Sequence, residues 1–457
     1  MVRFVFESAQ PRHQANPPRG GYLVGKDHGP MPTVVRADGG ALVADHNRSD
    51  AVSLVVEYDT PQAGPLMLRT CLLPGGDRTY LLPLELARHQ IMMVIRKLEE
   101  WGLSNLSPSH EAMRRFEDAR ARFTDAATAG SGFASGEPSL DAFEAADESL
   151  RLAIEAGEAL AREDAHRGRA GAPLKIGCTV APASFSAADQ RVIGERFDFI
   201  TCPMRWAEVE ADEGRYTFAP TDRCIEWAVR HARVPVVSGP VVELSEPAMP
   251  GWLGVWDHDY EQLRDFAYEH VKRVVTRYRR TISQWTATSC LSDNAAVPLS
   301  IDQMVDLTRV TVLAIRKLHP KARVVIELAY PFGDLVSVRR DRPGVNPRLF
   351  AELVLDAGVR IDGVAIRLVM GGEEAGARHR DLLAVAQLMD EFQTLERPVH
   401  VSALAAPSES IGPGDAGPRG DEAGAVDRQS AWIRDGVSVR LCHASDRTIG
   451  RAAITDT

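Results

Sequence analysis

Several carboxylates follow short apolar runs, at positions from which they could carry out acid–base chemistry. Glu243 ends one such run, Glu327 lies near the end of another, and Asp293 follows a third. Two neighbouring carboxylates could act as proton donor and proton acceptor in general acid–base catalysis. Alternatively, these groups are solvated or are paired with Arg205 and Arg367. The second interpretation is favoured, because charged side chains are usually exposed or paired.

Thiols and an imidazole raise the question of a metal site. Cys178, Cys202 and Cys290 lie near the ends of three apolar runs, and His400 lies within another. These groups could bind zinc, but strand residues alternate between two sides and need not converge. Cysteine is also often buried for packing alone. We therefore expect neither a metal nor a cofactor, and a nucleophilic Cys290 is disfavoured because the sequence places no histidine beside it.

The elements that must position these residues alternate between apolar runs and helical stretches from residue 174 to residue 442. The runs read LKIGCTV, FDFITCP, VPVVSGP, ISQWTATS, ARVVIEL, IDGVAIRLV and RPVHVSAL. Continuous runs of this kind are typical of parallel strands that are buried on both faces. Seven such units predict an α/β fold, a (β/α)8 TIM barrel. No glycine-rich fingerprint follows the first run, which disfavours a nucleotide-binding sheet.

The residues before this region have two other patterns. Residues 1–82 contain short apolar runs punctuated by Gly, Pro and Asp, which predict a small β-rich domain. Residues 83–168 are rich in Ala, Glu and Arg with helical spacing, which predicts a helical spacer. The predicted barrel then occupies residues 172–445. A chain of 457 residues is expected to form more than one domain.

Composition limits the classes of partner. The net charge of −10 argues against a nucleic-acid surface or an anionic membrane as the main partner. Residues 1–14 lack the apolar run of a signal peptide, and no stretch approaches the roughly 20 apolar residues of a membrane span. The six cysteines are scattered. We therefore expect a cytoplasmic protein.

The second predicted β/α unit carries the most specific motif. It reads Cys202-Pro203-Met204-Arg205-Trp206, then Glu210, Gly214-Arg215-Tyr216-Thr217-Phe218 and Asp222. This stretch resembles the Asn-x-Met-Lys-Trp, Gly-x-Tyr/Phe-x-Phe and Asp signature of glycoside hydrolase family 10, which contains endo-1,4-β-xylanases. Further matches are Gly239, Pro250-Gly251-Trp252-Leu253, Tyr278, Ile282, Trp285 and Ile361-Asp362-Gly363. The resemblance covers most of the predicted barrel.

The resemblance also locates two catalytic positions, and this chain lacks the expected residue at both. The family's proton donor is the Glu that ends Trp-Asp-Val-Val-Asn-Glu, and Cys290 stands in its place. The family's nucleophile is the Glu of Ile-Thr-Glu-Leu, and Ala403 stands there. The supporting polar residues of the family fall on Cys202, Ser238-Gly239-Pro240, Arg367 and Val369. The resemblance therefore implies a degenerate barrel in which the catalytic groups have been lost together.

Four residues form the candidate substrate-binding set. Arg205 keeps the cationic character of the family's substrate-binding Lys. Trp206, Trp252 and Trp285 could present aromatic faces to sugar rings. For Trp206 and Trp285 the alternative is a place in the barrel core.

These observations predict a catalytically inactive protein that binds carbohydrate or acts as a scaffold. Two alternatives stay open. One is an active xylanase-like hydrolase that cleaves O-glycosyl bonds of a β-1,4-xylan-type polysaccharide with the relocated carboxylates Glu243 and Glu327. The other is a protein-interaction module that uses the first 168 residues. An oligosaccharide or polysaccharide is the expected partner, with no nucleic acid and no membrane.

The last unit departs from the family pattern. A glycine-rich stretch fills residues 411–427, and residues 437–442 are predicted as a makeshift eighth strand. The eighth β/α unit is therefore expected to be incomplete. The hypothesis for this departure is a truncated or frame-shifted end, which resequencing of the gene would test.

Overall fold

The structure, a computed structural model, is an eight-stranded parallel β-barrel preceded by two small β-sheets and three helices. It describes residues 1–6, 17–26, 29, 31, 33–46, 50–60, 63–129, 139–167, 175–338, 344–372, 375–405 and 448–451. Among these residues, no helix is both long and apolar enough to cross a membrane.

The first seven strands form two sheets. They are β1 (Val2–Val5), β2 (Arg19–Val24), β3 (Val35–Asp38), β4 (Ala41–Ala44), β5 (Ser53–Thr60), β6 (Gly64–Arg69) and β7 (Arg78–Leu81). One sheet has the order β3-β4-β1-β7 and the other the order β2-β5-β6. Phe4, Leu54 and Tyr58 belong to a common apolar core. Burying apolar side chains from both sheets is what stabilises such short strands.

Three helices connect these sheets to the barrel: α1 (Leu82–Glu100), α2 (Glu111–Ala129) and α3 (Leu140–Arg167). Helix α3 packs on both α1 and α2, and the many alanines along it allow close approach. On α1 the buried residues include Leu86, Val94 and Leu98, whereas Ile95 is 50% exposed. On α3 buried residues occupy more than one side of the helix, because it packs on both α1 and α2.

The barrel strands follow one another around a closed ring. They are β8 (Lys175–Thr179), β9 (Phe199–Cys202), β10 (Val236–Glu243), β11 (Gln284–Ser289), β12 (Arg323–Leu328), β13 (Gly363–Val369), β14 (Val399–Ala405) and β15 (Thr448–Arg451). All neighbouring pairs are parallel. The predicted (β/α)8 fold is therefore confirmed.

Helices and short turns join the barrel strands. The α-helices are α4 (Ala187–Arg196), α5 (Trp206–Val209), α6 (Ala219–Trp227), α7 (Tyr260–Tyr278), α8 (Ile301–Leu318), α9 (Asp334–Val338), α10 (Pro347–Asp356) and α11 (Leu382–Gln393). Single-turn elements lie at Pro182–Ser184, Ala228–Ala232, Gly251–Trp256 and Ala375–Ala377. Ser186 and Ser300 open their helices with capping boxes, which satisfy otherwise unpaired backbone donors.

The eighth strand comes from a later segment than the one predicted. Strand β15 pairs with β14 on one side and with β8 on the other. Residues 437–442, which were expected to fill this place, lie outside the described residues. Both segments are short, so pairing with two distant strands, rather than local pattern, decides which one closes the ring.

Helix α1 is joined to the barrel through a buried charge. Lys97 is fully buried, and its Nζ lies 2.6 Å from Asp390 Oδ2 on α11 and 2.7 Å from Glu100 Oε2. The indole Nε1 of Trp101 also donates to Asp390 Oδ2 at 3.1 Å. These contacts fix the helices against the barrel on the side of its sixth β/α unit.

Replacing Lys97 is expected to destabilise the protein. Lys97→Ala leaves Asp390 without its cation and opens a cavity, so the free energy of unfolding should fall by about 3 kcal/mol. The matched control is Lys272→Ala, since Lys272 is half exposed in its pair with Glu269 and should change stability by less than about 1 kcal/mol. Urea unfolding followed by fluorescence measures both; equal losses would show that the buried pair has no special role.

Candidate functional site

The carboxyl ends of three barrel strands bring two glutamates and one arginine together. Arg367 of β13 places both Nη1 and Nη2 at 3.1 Å from Glu243 Oε1. Its Nη2 also lies 2.5 Å from Glu327 Oε1. The side chains of Glu243 and Glu327 are only 11% and 5% exposed, so both carboxylates depend on the arginine for their counter-charge. The sequence analysis expected these glutamates to be solvated or to pair with Arg205 and Arg367. In the structure both pair with Arg367.

Strand β11 contributes two further polar groups between these charges. Ser289 Oγ donates to Glu327 Oε1 at 2.7 Å and accepts from Arg367 Nη2 at 3.3 Å. The Cys290 thiol lies 3.8 Å from Glu243 Oε1 and 3.9 Å from Arg367 Nη1. We call Glu243, Ser289, Cys290, Glu327 and Arg367 the mouth cluster. It lies at the end of the barrel where enzymes of this fold carry out chemistry.

Cys290 has an unusual backbone conformation. Its φ is +57°, in the left-handed region that a residue with a Cβ enters at a cost of roughly 1–2 kcal/mol. The surrounding contacts of Ser289 and Arg367 hold the turn at the end of β11. Strained residues of this kind often lie at binding or catalytic sites.

The surroundings of the mouth cluster favour the charged form of the Arg367 guanidinium and the neutral form of the Cys290 thiol. Burial opposes the charge of Arg367, but Glu327, followed by Cys290 and Glu243, raises the pKa of the guanidinium well above its usual value. Burial raises the pKa of the Cys290 thiol far above its ordinary range, and the nearby Arg367 offsets this only in part. A neutral thiol is a poor nucleophile.

The two glutamates lie close to each other at the mouth of the barrel. Because both Oε1 atoms contact the same nitrogen of Arg367, their separation cannot exceed the sum of 3.1 and 2.5 Å. Retaining glycosidases hold their two carboxyl groups about 5–5.5 Å apart. In this structure one guanidinium is the counter-charge of both carboxylates.

Arg367 is related to both positions that the resemblance assigns to catalysis. Its backbone is in register with Ala403 on β14, and its guanidinium reaches Cys290 at the end of β11. Its side chain therefore points to the position of the family's proton donor from a strand that pairs with the position of the family's nucleophile.

Trp206 and Trp252 are brought together around Glu210, next to Arg205 in the same β/α unit. Trp206 Nε1 donates to Glu210 Oε2 at 2.7 Å, and Trp252 Nε1 donates to the Glu210 carbonyl at 3.1 Å. The two indole rings meet edge to face at 6.1 Å. Trp206 is 1% exposed and Trp252 is partly exposed, whereas the Arg205 side chain is 49% exposed and pairs with Glu208. Arg205 is therefore the member of this group most accessible to a ligand.

Trp285 does not join the other candidate residues. It lies at the amino end of β11, it is completely buried, and its Nε1 donates to His319 Nδ1 at 3.2 Å. The mouth cluster lies at the opposite end of the same strand. Trp285 and Trp206 both belong to the barrel core, and neither offers an open ring face.

The candidate metal ligands are separate buried side chains. Cys178 and Cys202 are fully buried, and His400 is 3% exposed within β14. Over the described part of the chain, no group of three or more His, Cys, Asp or Glu side chains could hold a metal ion.

Two residues of this region were missed by the sequence analysis. Ser289 directly precedes the left-handed Cys290, and its polar side chain at the end of a predicted strand was the available signal. His270 of α7 is completely buried and stacks on Trp206 at 4.5 Å with an interplanar angle of 18°. Nothing in the spacing of α7 distinguishes it from an apolar core position.

An eight-stranded barrel with charged groups at the carboxyl end of its strands is the class of scaffold on which many hydrolases are built. Residues 166–295 match the model of Glycosyl hydrolase family 10. The resemblance to the xylanase-type barrels of this family, inferred above from the motif around Arg205, is therefore confirmed.

One curated relative and several solved structures are xylanases. The chain is 27% identical over 99 residues to endo-1,4-beta-xylanase B of Thermotoga neapolitana, a match that covers 21% of this chain and 28% of that protein. A thermostable mutant of xylanase Xyn10A from Cellvibrio japonicus is similar at 18% identity and a TM-score of 0.47, over 62% of this chain and 86% of its own. Native xylanase 10B from Thermotoga maritima is similar at 15% identity and a TM-score of 0.46, over 64% and 85%.

Removing the cation of the mouth cluster should destabilise the protein. Arg367→Gln leaves the buried carboxylates of Glu243 and Glu327 without their counter-charge. The free energy of unfolding should therefore fall by about 3 kcal/mol.

Urea unfolding followed by fluorescence tests this. Arg205→Gln, which removes an arginine that is 49% exposed, is the control and should unfold like the native protein. An Arg367→Gln variant as stable as the native protein would contradict the role of Arg367 as the counter-charge of the two glutamates.

Acid should destabilise the protein through His270. Burial lowers the pKa of His270 to about 3, whereas a histidine in the unfolded chain titrates near 6.5. As pH falls from 6.5 towards 3 the unfolded state takes up a proton that the folded state does not, at a cost of up to about 1.4 kcal/mol per pH unit.

His270→Phe keeps an aromatic ring beside Trp206 but cannot take up this proton. Its free energy of unfolding should therefore decline less steeply with falling pH than that of the native protein. His258→Gln, a change at a side chain that is 78% exposed, should leave the slope unchanged. Identical slopes in the His270→Phe and native proteins would contradict the assignment.

Proposed function

We propose that this barrel is a non-catalytic relative of the family 10 hydrolases that binds a saccharide without cleaving it. The observation that carries the proposal is the position of Arg367, which pairs with Glu243 and Glu327 between Cys290 and Ala403. The protein then uses the mouth of the barrel for recognition rather than for hydrolysis.

The absence of a proton donor is the chemical basis of this proposal. Cleavage of a glycosidic bond needs an acid to protonate the leaving oxygen and a carboxylate or water to attack the sugar. In this proposal Glu243 and Glu327 act as the two partners of Arg367 and not as an acid and a nucleophile. Cys290 is too weak an acid to substitute, because its thiol pKa is raised by burial.

Saccharide recognition needs groups that the mouth of the barrel still has. Carboxylates and guanidinium groups form charge-assisted hydrogen bonds with hydroxyls. Arg205 is exposed and stands where the family has its substrate-binding Lys. Since the curated relative is named endo-1,4-beta-xylanase B, a β-1,4-xylo-oligosaccharide is the first ligand to test.

A second function is favoured by one specific observation. The Oε1 atoms of Glu243 and Glu327 are close enough for the pair of a retaining hydrolase. Hydrolysis would require a bound substrate to draw Arg367 away from one glutamate, so that this glutamate takes up a proton. The chain would then be an active hydrolase with relocated carboxylates.

Incubation of concentrated protein with xylohexaose, followed by mass spectrometry, separates the two functions. We expect the hexamer to remain intact. Shorter oligomers that disappear with Glu243→Gln/Glu327→Gln would establish the relocated pair and overturn the non-catalytic proposal. Products that persist in this double variant would indicate a contaminating hydrolase.

Binding is tested by calorimetric titration with xylohexaose. Arg205→Gln should weaken the affinity roughly tenfold, the effect of losing one hydrogen bond to a charged group. Arg215→Gln is the matched control, because Arg215 is an arginine 84% exposed in the same β/α unit and should leave affinity unchanged. If titration of the native protein with xylohexaose gives no heat of binding, a xylo-oligosaccharide is excluded as the ligand.

A further inference from the structure

The loops that continue from β12 and β13 are tied to each other by a buried ion pair. Asp334 opens α9, after the strand that carries Glu327, and Arg380 ends the loop after the strand that carries Arg367. Arg380 Nη2 lies 2.5 Å from Asp334 Oδ2, and the two side chains are 9% and 1% exposed. The same guanidinium stacks over the Phe332 ring at 4.6 Å.

The N-terminal sheet β2-β5-β6 docks on this pair of loops. The Tyr22 hydroxyl, from β2, donates to Asp334 Oδ1 at 2.5 Å. On β6, the Met67 carbonyl accepts from Arg380 Nη1 at 3.0 Å, and the Met67 amide donates to the His379 carbonyl at 2.8 Å. An ion pair of 2.7 Å between Arg378 and Glu57 adds a contact to β5.

We propose that this N-terminal sheet positions the mouth cluster, with Tyr22, Asp334 and Arg380 as its positioning residues. The sheet holds the two loops whose preceding strands carry Glu327 and Arg367. This inference does not depend on the proposed function, because it concerns the protein without any ligand.

The energetics of the contact support this role. Asp334 is almost fully buried and shares its charge between Tyr22 and Arg380, so loss of either partner leaves a buried carboxylate poorly satisfied. The ion pair between Arg367 and Glu327 joins β13 to β12. A buried ion pair is favourable only when its two groups keep a close, well-aligned contact. Any shift between the two loops is therefore transmitted to the contact of Arg367 with Glu327.

The reactivity of the Cys290 thiol can be used to follow the packing of the mouth cluster when no ligand is bound. Its thiol is 4% exposed and contacts both Glu243 and Arg367. Loosening of the cluster should admit water and small reagents to this sulfur. Cys202 and Cys224, both fully buried in the barrel, report on unfolding of the whole domain.

The test compares Tyr22→Phe with Tyr80→Phe in the full chain. Each change removes one hydroxyl from the N-terminal strands, but the Tyr80 hydroxyl donates to the Pro74 carbonyl rather than to the barrel. Alkylation by iodoacetamide is followed at each cysteine by peptide mass spectrometry. Tyr22→Phe should raise the rate at Cys290 roughly tenfold, as expected for loss of one hydrogen bond to a charged group, while the rates at Cys202 and Cys224 stay constant.

A pH profile distinguishes a loosened cluster from a merely weakened interface. In Tyr22→Phe the alkylation of Cys290 should begin at lower pH than in the native protein, because water reaching the sulfur favours the thiolate. Adding Glu57→Gln, which breaks the contact with Arg378, should increase the effect. An unchanged rate at Cys290, or an equal rise at all buried thiols, would overturn the proposal.

Discussion

The pairing of Arg367 with Glu243 and Glu327 is the interaction on which the mouth of this barrel depends. Three charges lie at the ends of three strands, and each of the two glutamates is almost completely buried. Isolated charges in such surroundings would be strongly unfavourable. The barrel must therefore hold β10, β12 and β13 in a fixed relation, and Ser289 completes the hydrogen bonds between them.

The proposal of a non-catalytic barrel rests on the same arrangement. The resemblance implies that a family 10 hydrolase has its two catalytic glutamates at the positions of Cys290 and Ala403. Here the guanidinium of Arg367 contacts Cys290 and binds carboxylates that come from β10 and β12. In that proposal the two carboxylates are partners of one shared cation and not an acid and a nucleophile.

The N-terminal strands and helices are closely integrated with the barrel. Helix α1 meets α11 through Lys97 and Asp390, and the β2-β5-β6 sheet meets the loops after β12 and β13 through Tyr22 and Arg380. All these contacts fall on the fifth and sixth β/α units. They involve buried charges, whose directional contacts define one relative position more strictly than apolar packing does.

Much of the architecture follows from local pattern. Continuous apolar runs separated by helical stretches determine a parallel barrel, because strands covered on both faces need no polar alternation. The motif from Cys202 to Asp222 indicates the kind of barrel, and the resemblance places Cys290 and Ala403 where the family has its two catalytic glutamates. These properties depend on residue type and spacing, so the sequence by itself determined them.

Other features were decided by tertiary structure. The pairing of Glu243 and Glu327 with Arg367 joins residues 40 to 124 positions apart, and whether each points inward is set by strand register. Trp285 was a candidate for a sugar cleft, yet its place at the amino end of β11 buries it against His319. The eighth strand lies at Thr448–Arg451 because only long-range pairing with β14 and β8 selects it. Sequence pattern reports the environment of a residue along its own element, whereas these outcomes depend on neighbours that the chain brings together only when the ring closes.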